Sequence, residues 1–118
     1  MSDREIWVIA EYDENGIKKS AWETISATRL LSEHLKLKPA VVILGNGIQR
    51  FAEELSKEVE LVYIIEHPFL SKYDSNAYVN SLYSIIQDKK PAIILASATI
   101  RGKDYIPRLS GRLNYGLI

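Results

Sequence analysis

Apolar and polar positions along the chain follow two alternating periods. The run IWVIAE (6–11) is continuously apolar to its last residue, which predicts a short strand buried on both faces. YDENG (12–16) reads as a turn. From 20 to 37 the spacing becomes helical, and Ala27, Leu30, Leu31, His34 and Leu35 share one face. AVVILG (40–45) predicts a second strand, and the helix after it places Ile48, Phe51, Ala52 and Leu55 together. LVYIIE (61–66) predicts a third strand. HPFLSKYDS holds turn formers, and a helix over 76–90 aligns Val79, Leu82, Tyr83 and Ile86. PAIILASA (91–98) predicts a fourth strand, and a last helix over 104–113 groups Ile106, Leu109 and Leu113.

Continuous apolar strands alternating with helices predict an α/β fold, a parallel sheet covered by helices on both faces in three α/β/α layers. Two helix starts carry local signals. Ser20 and Glu23 have the spacing of a capping box. Asp104 as N-cap would put Pro107 in the first turn, where a missing amide costs nothing. The closing NYGLI points toward a further strand. The 118 residues suit one domain, 1–118, with no internal repeat or linker.

Composition narrows the function classes. Fifteen cations balance fifteen anions, which argues against a general nucleic-acid surface. No cysteine is present, so disulfides, thiol nucleophiles and thiolate metal sites are excluded. The start has no signal-peptide pattern and no run approaches the ~20 apolar residues of a membrane span, so the expectation is a cytoplasmic protein.

Open parallel sheets bind ligands beyond the carboxyl ends of their strands. That selects the loops 11–16, 45–47, 67–74 and 97–104. GNG (45–47) begins like a dinucleotide fingerprint but lacks the third glycine, and a tight turn explains it as well. No P-loop occurs, and His34 and His67 lie in no ligand spacing with a carboxylate. Ser97 and Ser110 have no nucleophile-elbow pattern. No catalytic constellation emerges, and no enzyme activity is expected. The loop SATIRGKD (97–104) is the remaining candidate. Ser97 and Thr99 offer hydroxyls, Gly102 lets the backbone turn, and Arg101 and Lys103 add charge. Within 101–112 four cations face one anion, and Arg108 and Arg112 share a helix face. The stretch reads either as an anion, nucleotide or partner site, or as a capped helix with a solvated basic face.

Two stretches carry a family resemblance. IWVIAEYDENGIKKSAWETISATRLLSE resembles the opening of the electron transfer flavoprotein alpha subunit, an apolar strand ending Ala-Glu, then a turn and a helix. ATIRGKDYIPRLSGRLNYGL resembles the family's most characteristic stretch, matched at Ala98, Thr99, Gly102, Asp104, Pro107, Arg108, Leu109, Arg112, Leu113, Gly116 and Leu117. Lys103 stands for the usual arginine there.

The resemblance implies an N-terminal domain with an adenine nucleotide alpha hydrolase-like, Rossmann-like fold. It implies a scaffold in an electron-transfer system that pairs with a beta-like subunit or a separate FAD-binding domain. The family's second, FAD-binding domain is expected to be absent from this chain, so FAD belongs to the complete complex and no cofactor to this chain alone. Glu11, Ser97, Thr99, Arg101 and Gly102 would then form a vestigial nucleotide loop, and Arg108 and Arg112 would face a partner. Self-association is a further expectation. A universal-stress-type module would instead hold an adenine nucleotide against Ala10, Glu11, Ser97, Thr99 and Gly102. Its expected glycine pattern is missing, since Gly111 falls inside a predicted helix.

Overall fold

The computed structural model describes residues 4–114. The element order is β1 (Glu5–Ile9), β2 (Tyr12–Asp13), β3 (Gly16–Ile17), α1 (Lys19–Leu35), β4 (Lys38–Gly45), α2 (Gln49–Ser56) and β5 (Val62–Glu66). A 3-10 turn (Pro68–Leu70), α3 (Ser75–Lys89), β6 (Ile93–Ala96) and α4 (Ile100–Leu113) complete it. The main sheet is parallel, in the order β5-β4-β1-β6. β2 and β3 form a small antiparallel hairpin around the expected turn. The strand expected near the carboxyl end lies outside the described residues, which end with α4 and its left-handed Asn114 cap.

The apolar runs became the centre of the sheet. Ile6, Trp7, Val8 and Ile9 are no more than 2% exposed, and Val41 to Leu44 no more than 1%. Trp7, Ile9, Ala40, Val42 and Leu44 face α3 and α4, where Tyr78, Leu82, Ile86, Tyr105 and Leu109 meet them. Val8, Ala10, Val41 and Ile43 face α1 and α2, against Ala21, Ile25, Ile48, Phe51 and Leu55. The molecule is therefore a three-layer α/β/α sandwich. The faces expected for α2 and α3 are the buried ones.

Four expectations are corrected. Helix α1 buries a different face from the one its apolar spacing suggests. Ala21, Ile25, Thr28 and Ser32 are buried, whereas Leu30 is 65% exposed and Leu31 and Leu35 lie outside the core. Three of the four buried side chains, Ala21, Thr28 and Ser32, are small. Two buried hydroxyls are satisfied locally, Thr28 donating to the Thr24 carbonyl at 2.7 Å and Ser32 to the Arg29 carbonyl at 2.7 Å. The capping box does not form, because the helix begins earlier: Lys18 is the N-cap and Ser20 is already inside.

Helix α4 also begins a turn early. Thr99 is its N-cap, and its hydroxyl accepts from the Gly102 amide at 3.1 Å. Pro107 consequently lies in mid-helix, where it offers no amide to the Lys103 carbonyl. Gly102 is helical rather than a turn residue. A β-carbon there would lie 2.2 Å from the Ser97 carbonyl oxygen, so glycine permits the helix to start against the strand end.

These surroundings give two glycines of one helix opposite substitution effects. Gly102→Ala should destabilise the chain by about 2 kcal/mol or more, since the contacting atom is backbone. Gly111→Ala has nothing within 4 Å and should stabilise by about 0.5–1 kcal/mol. Urea denaturation of the two variants checks both signs.

Candidate functional site

Strand order reverses between β1 and β6, so their carboxyl ends flank the switch-point crevice. The chain leaves β1 through Ala10, whose amide bonds the Val42 carbonyl at 2.9 Å, and then places Glu11 in the crevice. Glu11 is 6% exposed. The β2–β3 hairpin returns the chain so that the Lys18 amide bonds the Glu11 carbonyl at 3.0 Å. Lys18 Nζ then lies 3.4 Å from Glu11 Oε1. From the other side the Thr99 hydroxyl donates to Glu11 Oε2. Because that hydroxyl also accepts from Gly102, one side chain joins the buried carboxylate to the start of α4. Ser97 Oγ lies 3.2 Å from Thr24 Oγ1 and ties the end of β6 to α1.

Four of the sequence-selected residues, Glu11, Ser97, Thr99 and Gly102, thus meet at the switch point. Arg101 does not join them. Its guanidinium lies 5.1 Å from the centre of the Tyr73 ring. Arg108 donates to Ser75 Oγ at 3.0 Å and lies 3.8 Å from Asp104. Arg112 donates to Asn80 Oδ1 and lies 4.1 Å over the Tyr83 ring. The three arginines form a row along the seam between α3 and α4, each with an exposed side.

Two features escaped the sequence reading. Glu66, ending β5, accepts from the Gly47 amide at 2.6 Å and the Ile48 amide at 3.1 Å, so the end of the GNG loop and the residue after it turn their amides to the chain's own carboxylate. A charged residue closing an apolar strand run was the available signal. The second is a tyrosine cluster beside the crevice. The Tyr78 ring lies 5.0 Å from Tyr73 and 5.2 Å from Tyr105. Tyr73 donates to Asp104 Oδ2 at 2.6 Å. The Tyr105 hydroxyl is buried and has no hydrogen-bond partner among the described residues. Burial, reinforced by Tyr12, pushes the Tyr78 phenol up to about 12 even though Arg101 pulls it down. Burial also raises Tyr105, and burial with the Asp104 hydrogen bond raises Tyr73. The four-residue spacing of Tyr105 and Leu109 was the sequence signal for the Tyr105 side.

A groove of about 720 Å³ runs along β6 and α4, lined by Ile93 to Ala98 with Ile106, Leu109, Ser110 and Leu113 among others. It is mostly apolar and holds one cation, Lys103. Among the described residues no group of three or more His, Asp or Glu side chains is placed to hold a metal ion. These surroundings do not fit a flavin dinucleotide. A diphosphate brought to the switch point or to the GNG loop would meet the Glu11 or Glu66 carboxylate instead of free amides.

Comparison with known proteins gives a consistent assignment. The family described as electron transfer flavoprotein domain matches residues 6–118. Electron transfer flavoprotein subunit alpha of Thermoanaerobacterium thermosaccharolyticum is 29% identical over 115 residues, covering 97% of this chain and 35% of that protein. Acryloyl-CoA reductase electron transfer subunit beta of Anaerotignum propionicum is 34% identical over 117 residues, covering 98% of this chain and 32% of its own. Protein FixB of Azorhizobium caulinodans is 30% identical over 118 residues, with 97% and 32% covered. The chain therefore spans about a third of the length of these curated relatives.

Two outcomes follow from the site. Thr99→Val removes both the cap of α4 and a partner of a buried carboxylate. It should cost about 1–3 kcal/mol in urea denaturation, while Thr99→Ser keeps most of the stability. The second is alkaline. Folded Tyr78 holds its proton to about pH 12, against 10.0 for an ordinary phenol, so above pH 10 the unfolded chain releases it first. The stability this gives is complete below pH 10 and lost as pH rises through about 12. Tyr78→Phe should flatten that part of a stability-against-pH curve.

Proposed function

Because the chain belongs to the electron transfer flavoprotein domain family, we propose that it serves an electron-transfer system as a scaffold and subunit-contact domain. In this reading it corresponds to the N-terminal domain of an alpha subunit and carries no redox chemistry or catalysis alone. FAD is carried by a separate domain or by the assembled complex, and the partner is a beta-like subunit or that FAD-binding domain. The working compartment is the cytoplasm. No helix among the described residues is long and apolar enough to cross a membrane.

One observation carries the proposal. The sheet edge at β6 has a single neighbour among the described residues and opens into the apolar groove beside α4. Unpaired strand edges and apolar grooves are surfaces to which other chains add. The α1 leucines supply a second apolar area on the opposite layer. Arg108 and Arg112 remain exposed beside their α3 contacts and supply directional charge for the partner. Glu11, Ser97, Thr99 and Gly102 form a vestigial nucleotide loop, which Arg101 has left.

Size-exclusion chromatography with a beta-like subunit or a flavin-loaded domain tests this. The chain alone elutes colourless, and the mixture co-elutes. Arg108→Glu with Arg112→Glu lowers the affinity about tenfold or more, since reversing contact charges costs more than removing them. A chain that purified yellow and cycled between oxidised and reduced forms by itself would sink the reading.

A further inference from the structure

We propose that Glu11 and Glu66 are internal anions, carboxylates that occupy the places a ligand's phosphates take in an open parallel sheet and so close this domain to nucleotides. The observations concern where the carboxylates come from and what they meet. Glu66, at the end of β5, accepts from the Gly47 and Ile48 amides at the start of α2. Glu11, which follows β1, reaches α4 from 88 residues away through Thr99. Glu66 leaves the end of one strand and takes the amides of a helix start that follows another, and Glu11 does so through the Thr99 hydroxyl, which itself takes the Gly102 amide. That is the position of a phosphate held between neighbouring strand ends. It differs from an ordinary cap such as Asp74, which serves the amides of Asn76 and Ala77 beside it in the sequence.

The Glu11 carboxylate has a further mark of a stand-in. It is 6% exposed, and a carboxylate in such a place is costly unless it is paired and hydrogen-bonded. Lys18 and Thr99 supply both needs. The lysine and hydroxyl that would hold a phosphate are present and already engaged. The fold thereby stands permanently in the electrostatic state of a liganded sheet. It needs no nucleotide for stability and repels one that approaches.

The test is anion rescue of the full chain, read as melting temperature. Glu11→Ala deletes the carboxylate and leaves a space of its size beside Lys18 and Thr99. Formate, which has that size and charge, raises the melting temperature of Glu11→Ala more than chloride at equal concentration. The unmodified chain and Glu11→Gln respond alike to the two salts, and neither inorganic phosphate nor AMP shifts the unmodified chain. Equal responses of Glu11→Ala to formate and chloride overturn the proposal. So does a saturable rise of the unmodified chain with phosphate or AMP. Should Glu11→Ala not fold, Glu66→Ala carries the same comparison, because Glu66 is exposed and its loss leaves the core untouched. The proposal does not depend on the partner reading: no partner enters these measurements, so each can fail while the other stands.

Discussion

The first amides of a helix find no acceptor within it, and a parallel α/β sheet turns the starts of its helices toward the carboxyl ends of its strands. That edge gathers partial positive charge, and the rest of this molecule is arranged around satisfying it. Lys18 begins α1 without a side-chain cap, yet its ammonium pairs Glu11. Glu66 serves α2, Asp74 serves α3, and Thr99 serves α4 with Glu11 behind it. Because the Glu66 and Glu11 links run between strand ends, they also tie together the loops at the carboxyl edge of the sheet.

Much of this architecture is legible in the residue pattern. The strands are continuous apolar runs because both of their faces are covered, and α2 and α3 read correctly because their inner faces are apolar, Phe51, Ala52 and Leu55 in one and Tyr78, Val79, Leu82 and Ile86 in the other. Helix α1 misleads for a physical reason. It meets the sheet through Ala21, Ile25, Thr28 and Ser32, so half of its inner face is hydroxylated while leucines remain outside. The start of α4 misleads in a similar way. Asp104 resembles a cap, but it is spent on the Tyr73 hydroxyl and on Arg108, and Thr99 performs the capping.

The candidate site divides along the same line. Glu11, Ser97, Thr99 and Gly102 are selected by their place at strand ends, which a sequence reveals. Arg101 is displaced by an attraction that only three dimensions disclose, the face of a tyrosine ring contributed by the loop before α3. Glu66 and the tyrosine cluster depend on pairings 18 to 31 residues apart, which no local period encodes. Membership of the electron transfer flavoprotein domain family agrees with the α/β layers and with the specific stretch beginning at Ala98. The geometry then adds what the family name does not, a ligand edge whose anion positions are taken.

Pro107 gives α4 a mechanical character distinct from its neighbours. The helical ladder is interrupted at the Lys103 carbonyl, beside the open side of the sheet. The segment before the break is moored to the tyrosines through Asp104, and the segment after it to α3 through Arg112. With that rung missing, the two segments are kept in line by separate moorings, so α4 owes its course to the tyrosines and α3 as much as to its own ladder.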